Sequence, residues 1–228
     1  MKIGGFQKVS LIDYPGRVCA VVFTQGCNFR CPFCHNPELV DPGRFEPLLD
    51  EAEILAFLEK RRGKLDGVSI TGGEPTLQPD LAAFAGRLKK MEFLVKIDSN
   101  GSRPDVLKEL VERRLVDYLA MDIKGPLKKY DTLTGVGNSG REIRESIALI
   151  VASGLPCEFR TTVVPSLLAE RDFREIGKLV ENAPRFVLQR YARTKQLDSA
   201  VPPPGAEPPD LEKCAEIMRQ HVSQVRIR

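Results

Sequence analysis

Six short apolar runs, Val18–Thr24, Gly67–Thr71, Leu94–Asp98, Tyr118–Ile123, Cys157–Val164 and Phe186–Gln189, punctuate this chain. Between them lie segments of helical periodicity: Leu48–Arg62, Pro79–Met91, Pro104–Arg114, Arg141–Ser153 and Glu170–Asn182. This alternation constrains the fold more than any other feature, because strands that alternate with helices build βα units around a parallel sheet. Six such units are too few to close an eight-stranded barrel. The expected fold is α/β, a partial, laterally open (β/α)6 barrel. With 228 residues and 42% hydrophobic content the chain can bury one substantial core, so a single domain over residues 1–228 is expected, its core running from about residue 16 to about residue 191. The composition breaks once, at Val201-Pro-Pro-Pro-Gly-Ala-Glu-Pro-Pro209, which reads as an extended connector. A last helix over 210–220 and a short strand, Gln224–Ile227, follow it. No repeat of solenoid period is present.

Charge and cysteine usage exclude several classes of function. The net charge is +3, from 34 basic and 31 acidic residues, and a nucleic-acid binder usually shows a concentrated basic stripe. The basic groups Lys60-Arg61-Arg62, Lys89-Lys90 and Arg113-Arg114 fall at the ends of expected helices, where cations complement the helix dipole. The longest apolar run, Val18–Phe23, is far below the roughly 18 residues that span a bilayer. The chain opens Met-Lys-Ile-Gly-Gly-Phe, without the charged and apolar regions of a leader. A cytoplasmic location, with no nucleic acid and no membrane as partner, is expected, and cytosolic thiols stay reduced.

Polar clusters sit where strands end, the face on which such barrels build active sites. After the first strand comes Thr24-Gln-Gly-Cys-Asn-Phe-Arg-Cys-Pro-Phe-Cys-His-Asn36, with Cys27, Cys31 and Cys34 on one loop. Four-iron clusters normally take four cysteine ligands. Three thiolates would leave one iron without a cysteine, much as a catalytic zinc keeps one position open. A structural zinc site would want paired cysteine knuckles or several histidines, and His35 and His221 are the only histidines. Cys19, Cys157 and Cys214 stand alone in apolar or helical contexts and read as core or surface thiols. After the second strand comes Thr71-Gly-Gly-Glu-Pro75, whose glycines allow close backbone approach to a ligand. Taken alone it reads equally as a good turn. The third strand ends Lys96-Ile-Asp-Ser-Asn-Gly101 and the fourth Met121-Asp-Ile-Lys124. Alternation places Lys96 with Asp98, and Asp122 with Lys124, on one face each. Charge facing a barrel interior must meet other charge or a ligand, so these residues form either an internal ion-pair cluster or a binding site.

The cysteine loop resembles the signature of the radical S-adenosylmethionine (radical SAM) superfamily, CxxxCxxC with an aromatic residue, Phe33, before the last cysteine. Gly5-Phe-Gln-Lys-Val-Ser-Leu-Ile-Asp-Tyr-Pro-Gly16 followed by that triplet and His35-Asn36 is similar to the activating enzymes of glycyl-radical enzymes, most of all the compact activators of anaerobic ribonucleotide reductase. The resemblance runs from Gly5 to Tyr191 and departs from many activases at Tyr14, where they carry glycine. It implies the same open barrel, a [4Fe–4S] cluster on Cys27, Cys31 and Cys34 with one iron free of cysteine, and SAM as cofactor. It further implies that the backbone of Gly72, Gly73, Glu74 and Pro75 holds the SAM amino group, and that Ser99, Asn100, Asp122, Lys124 and Arg160 complete the SAM site. Phe33 and His35 would contribute to the adenine environment, and Asp98, Ser99 and Asp122 would hold a monovalent cation. Arg160 would offer a forked donor to carboxylate or ribose. A histidine that some activases carry after the sixth strand is missing from Leu188-Gln-Arg-Tyr-Ala-Arg193, where Tyr191 is either a substitute ring or a core residue.

The chemistry implied by this resemblance is reductive cleavage of SAM to a 5′-deoxyadenosyl radical, which abstracts hydrogen from a backbone glycine of a partner enzyme, anaerobic ribonucleotide reductase first. Flavodoxin or ferredoxin would supply the electron. No side-chain general base is required, in keeping with two histidines and no nucleophile–base pair. Two other readings stand beside it: a radical SAM enzyme acting on a small molecule, such as a 7-carboxy-7-deazaguanine synthase, and a non-catalytic iron–sulfur redox protein. The second is disfavoured because an electron carrier is better served by four cysteines.

Overall fold

The computed structural model describes residues 1–137 and 140–228. It divides into two compact units, each assembled from several chain segments.

The first unit comprises Met1–Asn28, Glu38–Ser99 and Arg103–Leu119. In it β1 (Ile3–Ser10) runs antiparallel to β2 (Cys19–Thr24), which is parallel to β3 (Gly67–Gly72), itself parallel to β4 (Leu94–Ser99). Ala20, Val22, Val68, Ile70, Val95 and Ile97 are fully buried along these strands, the pattern of a parallel sheet covered on both faces. The register pairs Thr24 with Gly72, so the loops leaving β2 and β3 begin side by side. Around the sheet come α1 (Pro37–Val40), α2 (Glu51–Glu59), α3 (Leu81–Lys90) and α4 (Pro104–Glu112). The start of α2 is set by Asp50, whose carboxylate accepts the Ala52 N–H at 2.7 Å. Pro104 opens α4, where a missing N–H costs nothing. The α3 stripe Leu81, Phe84, Ala85 and Leu88 packs fully into the core.

β5 (Tyr118–Asp122) begins in the first unit and ends in the second, which comprises Phe29–Pro37, Asn100–Ser102 and Ala120–Arg228. There α5 (Tyr130–Thr134), α6 (Gly140–Ala152), β6 (Cys157–Val163), α7 (Asp172–Leu179), β7 (Phe186–Arg190), α8 (Leu211–Met218) and β8 (Val225–Ile227) follow. β6 is parallel to β7 and β7 to β8. Asp210 caps α8 through the Glu212 N–H at 2.9 Å.

All six expected strands are present, within two residues of their predicted ends. β1 was not expected. Gly4, Gly5 and Lys8 interrupt its apolar alternation, and its register with β2 slips near both ends, as bulges make strands do. α2 is shorter than Leu48–Arg62, because Asp50 caps it and leaves Leu48 and Leu49 exposed before it. Tyr14 is a core residue: it is buried, its ring lies 5.7 Å from that of Tyr118, and it packs on Gly67. Cys19, Cys157 and Cys214 are buried as well.

Candidate active site

In the first unit the loops after β2 and β3 are knitted together main chain to main chain. Gly73 N–H donates to Thr24 O at 2.8 Å, Glu74 N–H to Gly26 O at 2.8 Å, and Gly26 N–H to Leu39 O at 2.7 Å. Gly72 has φ +108°, and a Cβ there would stand 2.6 Å from Thr24 N; a Cβ on Gly73 would stand 2.1 Å from Gly26 O. The close approach that these glycines permit is therefore to the entrance of the cysteine loop, one residue before Cys27. Glu74 is buried at 1% exposure and caps a 3₁₀ turn, Pro75–Leu77. Its Oε1 accepts the Thr76 N–H at 3.1 Å, the Thr76 hydroxyl, and the Ser99 hydroxyl at 2.8 Å. Lys96 is buried and ion-paired with Asp98, as alternation on β4 required.

In the second unit the charges expected at the end of β5 meet. Asp122 accepts from Lys124 Nζ at 3.0 Å and from Arg160 Nε at 2.9 Å. Burial opposes charge on Asp122, yet Arg160 and Lys124 hold its carboxyl well below the usual range. Burial likewise opposes charge on Lys124, but Asp122, with the nearby Cys31 and Cys34, holds the ammonium above the ordinary lysine range. The Cys31 thiol is pushed up to about 11, first by burial, with Lys124 pulling the other way. Asn100 turns its Oδ1 onto the Ser102 N–H at 2.9 Å, an Asx turn that shapes the exit of β4.

The end of the cysteine loop is strapped to the segment after β7. Leu197 N–H donates to Cys34 O at 3.2 Å and Asp198 N–H to Pro32 O at 2.9 Å. The His35 ring stacks on Tyr191, centroids 5.6 Å apart, and its Nε2 lies 3.1 Å from Ala192 O. Tyr191 is hydrogen-bonded to Gln196, which fixes its ring beside His35, and it is not a buried core residue. Phe33 is buried. Three residues escaped the sequence reading. Glu158, buried at 1% exposure, lies 4.0 Å from Arg160 Nη1; it stands two residues before Arg160 on β6, so the alternation argument that paired Asp122 with Lys124 would have found it. Tyr130 and Thr134 bear on the site through α5, and the mixed run Lys128-Lys129-Tyr130 carries no periodic signal that marks them.

The family model described as the radical SAM superfamily matches residues 21–180. The chain belongs to the radical SAM superfamily. A Methanocaldococcus jannaschii protein assigned as a glycyl-radical enzyme activating enzyme is 31% identical over 236 residues, covering 99% of this chain and 95% of its own length. A pyruvate formate-lyase-activating enzyme of Clostridium pasteurianum is 28% identical over 79% of this chain and 76% of its own. In fold, the chain is similar to coproporphyrinogen III oxidase of Escherichia coli, a radical SAM enzyme, with a TM-score of 0.57 and 16% identity over 92% of this chain and 52% of that one.

Radical SAM enzymes carry a [4Fe–4S] cluster and use SAM, and the residues present suit both. The Cys31 thiol, kept protonated by burial, can give up its proton to a metal, which supplies the compensating charge. Lys124 and Arg160, both on the Asp122 carboxylate, are donors of the kind that carboxylate recognition uses. The described residues group no three His, Cys, Asp or Glu side chains around a single ion. Of the three residues expected to hold a monovalent cation, Asp98 is engaged by Lys96, Ser99 by Glu74, and Asp122 by Lys124 and Arg160. No helix among the described residues is long and apolar enough to cross a membrane.

Proposed function

We propose that this radical SAM enzyme activates a glycyl-radical enzyme, with anaerobic ribonucleotide reductase as the partner tested first. The observation that carries this reading is the similarity to the Methanocaldococcus protein along 99% of the chain. Cys27, Cys31 and Cys34, by their spacing on one loop, would hold the [4Fe–4S] cluster. A reduced cluster there would supply the one electron for cleavage of SAM into methionine and the adenosyl fragment that takes hydrogen from the substrate. The remaining work belongs to the chain. Lys124 and Arg160, poised on Asp122, bind the SAM carboxylate and ribose. The Gly72–Pro75 backbone meets its amino group, since the Glu74 carboxylate is already occupied by Thr76 and Ser99. Phe33, His35 and Tyr191 border the adenine, and Asn100 shapes the β4 exit. Asp98, Ser99 and Asp122 exchange their present partners for a monovalent cation where one binds. The electron comes from a flavodoxin or ferredoxin.

The test is anaerobic incubation of reconstituted protein with SAM, reductant and a candidate glycyl-radical enzyme. A glycyl radical doublet in the electron paramagnetic resonance (EPR) spectrum is expected, with about one 5′-deoxyadenosine per radical and deuterium transferred from Cα-deuterated glycine. Catalytic consumption of a purine or pterin precursor, with no glycyl radical from any partner, would overturn the activase reading.

A further inference from the structure

We infer that α5 is a bracket that positions Lys124 against the cysteine loop, with the Tyr130 hydroxyl as the positioning group. The inference rests on the proposed role of Lys124 in binding SAM. β5 ends at Asp122, so the main chain of Lys124 lies beyond the strand. A main-chain N–H in a buried setting needs a partner. Tyr130 supplies it: fully buried, it accepts the Lys124 N–H on its hydroxyl at 3.2 Å. The residue whose ammonium faces Asp122, near Cys31 and Cys34, is thus held at its backbone by a side chain from the next helix.

The other end of α5 grips the loop. Arg30 N–H, one residue before Cys31, donates to Thr134 O at 2.6 Å. Gly135 follows with φ +69°, and a Cβ there would stand 3.0 Å from both the Arg30 Cβ and its carbonyl oxygen. The Thr134 hydroxyl donates to Tyr130 O at 2.7 Å and ties the two ends together. A helix of five residues has no stability of its own, so its anchorage must be tertiary. Lys129 provides it, donating to the buried Asp172 at 2.6 Å and to Leu167 O at 3.1 Å, while Asp172 also accepts the Ala169 N–H at 2.8 Å. One short element, fixed at its start, therefore sets where both Lys124 and Arg30 lie. Shape alone does not require the Tyr130 oxygen, because phenylalanine would fill the same space.

A double-mutant cycle separates positioning from packing. SAM affinity and the change that SAM causes in the EPR spectrum of the reduced cluster are measured for Tyr130→Phe, Lys124→Met and the double variant, with iron content and urea midpoint as controls. Tyr130→Phe is expected to weaken SAM binding about two- to tenfold, the worth of one net hydrogen bond, with iron content unchanged. It should weaken it no further in the Lys124→Met background. If Tyr130→Phe takes up no iron, Gly135→Ala reaches the same bracket from the loop side and should show the same dependence on Lys124. Unaltered SAM affinity in Tyr130→Phe, or an equal loss with Lys124 already removed, would overturn the inference while sparing the role of Lys124. A Lys124→Met variant with normal SAM affinity would overturn that role, and the inference with it.

Discussion

Gly73→Ala asks whether the Gly-Gly pair after β3 serves the chain or its ligand. The new methyl would meet Gly26 O at 2.1 Å, Gly26 C at 2.7 Å and Leu39 O at 3.1 Å, all of them backbone atoms. None can swing aside as a side-chain end could, so the two loops must part. Parting them breaks the Gly73 N–H to Thr24 O and Glu74 N–H to Gly26 O bonds, each worth about 0.5–1.5 kcal/mol net. Overpacking adds about 1–3 kcal/mol. Together the loss is roughly 2–6 kcal/mol, a large part of the about 5–15 kcal/mol that holds a domain folded. Urea unfolding of the metal-free protein, followed by iron content after reconstitution, measures it. Gly43→Ala is the control, because its Cβ would meet nothing nearer than Asp41 Oδ1 at 3.5 Å, and it should stay within about 0.5 kcal/mol of the parent. If Gly73→Ala costs the metal-free protein less than about 1 kcal/mol and lowers only SAM affinity, the backbone argument is wrong and the glycine is kept for the ligand.

Alanine at Cys27, Cys31 or Cys34 should abolish the cluster, while alanine at Cys19, Cys157 or Cys214 should leave iron content near normal; iron analysis decides, and dependence on any of the last three would refute the three-ligand assignment. Asp122→Asn should weaken SAM binding tenfold or more at normal iron content, since a charge-assisted hydrogen bond is worth about 1.5–3 kcal/mol; equilibrium binding to a folded variant with no change would return the Asp122 group to a structural ion-pair cluster. Stability should fall in alkali. Burial pushes the thiols of Cys19 and Cys157 up to about 11, and Cys214 and Tyr14 up to about 12. In the unfolded chain these groups ionise nearer their ordinary values of 9.0 and 10.0. Their contribution is therefore complete below about pH 9 and lost as pH climbs toward about 12. A flat urea midpoint between pH 8 and 11 would contradict this.

The β/α alternation and the cysteine loop were legible because each has a local cause: strand burial demands apolar runs, and a cluster demands thiols at fixed spacing. Asp122 was legible by the same token, since a charge at the end of a buried strand must find partners, and Lys124, just beyond β5, and Arg160 are the partners the structure supplies. What escaped depends on contacts between distant segments. Gly-Gly-Glu-Pro reads in sequence as a turn or a backbone site and gives the Glu74 side chain no role, yet its Oε1 is taken by Thr76 and by Ser99, 25 residues away. Nothing local to Gly-Gly-Glu-Pro foretells Ser99. Tyr14 departs from a glycine that many activases carry, and the reason is a ring packed on Gly67 and Tyr118, partners far along the chain. The same holds for α5, whose brevity defeats periodicity while its hydrogen bonds reach Arg30, Leu167 and Asp172. A motif read from spacing thus identifies which atoms can do the chemistry, whereas the groups that hold those atoms in place come from other turns of the fold. Substitutions at Tyr130, Thr134 or Glu158 should accordingly alter how firmly SAM is held without changing how much iron the loop retains.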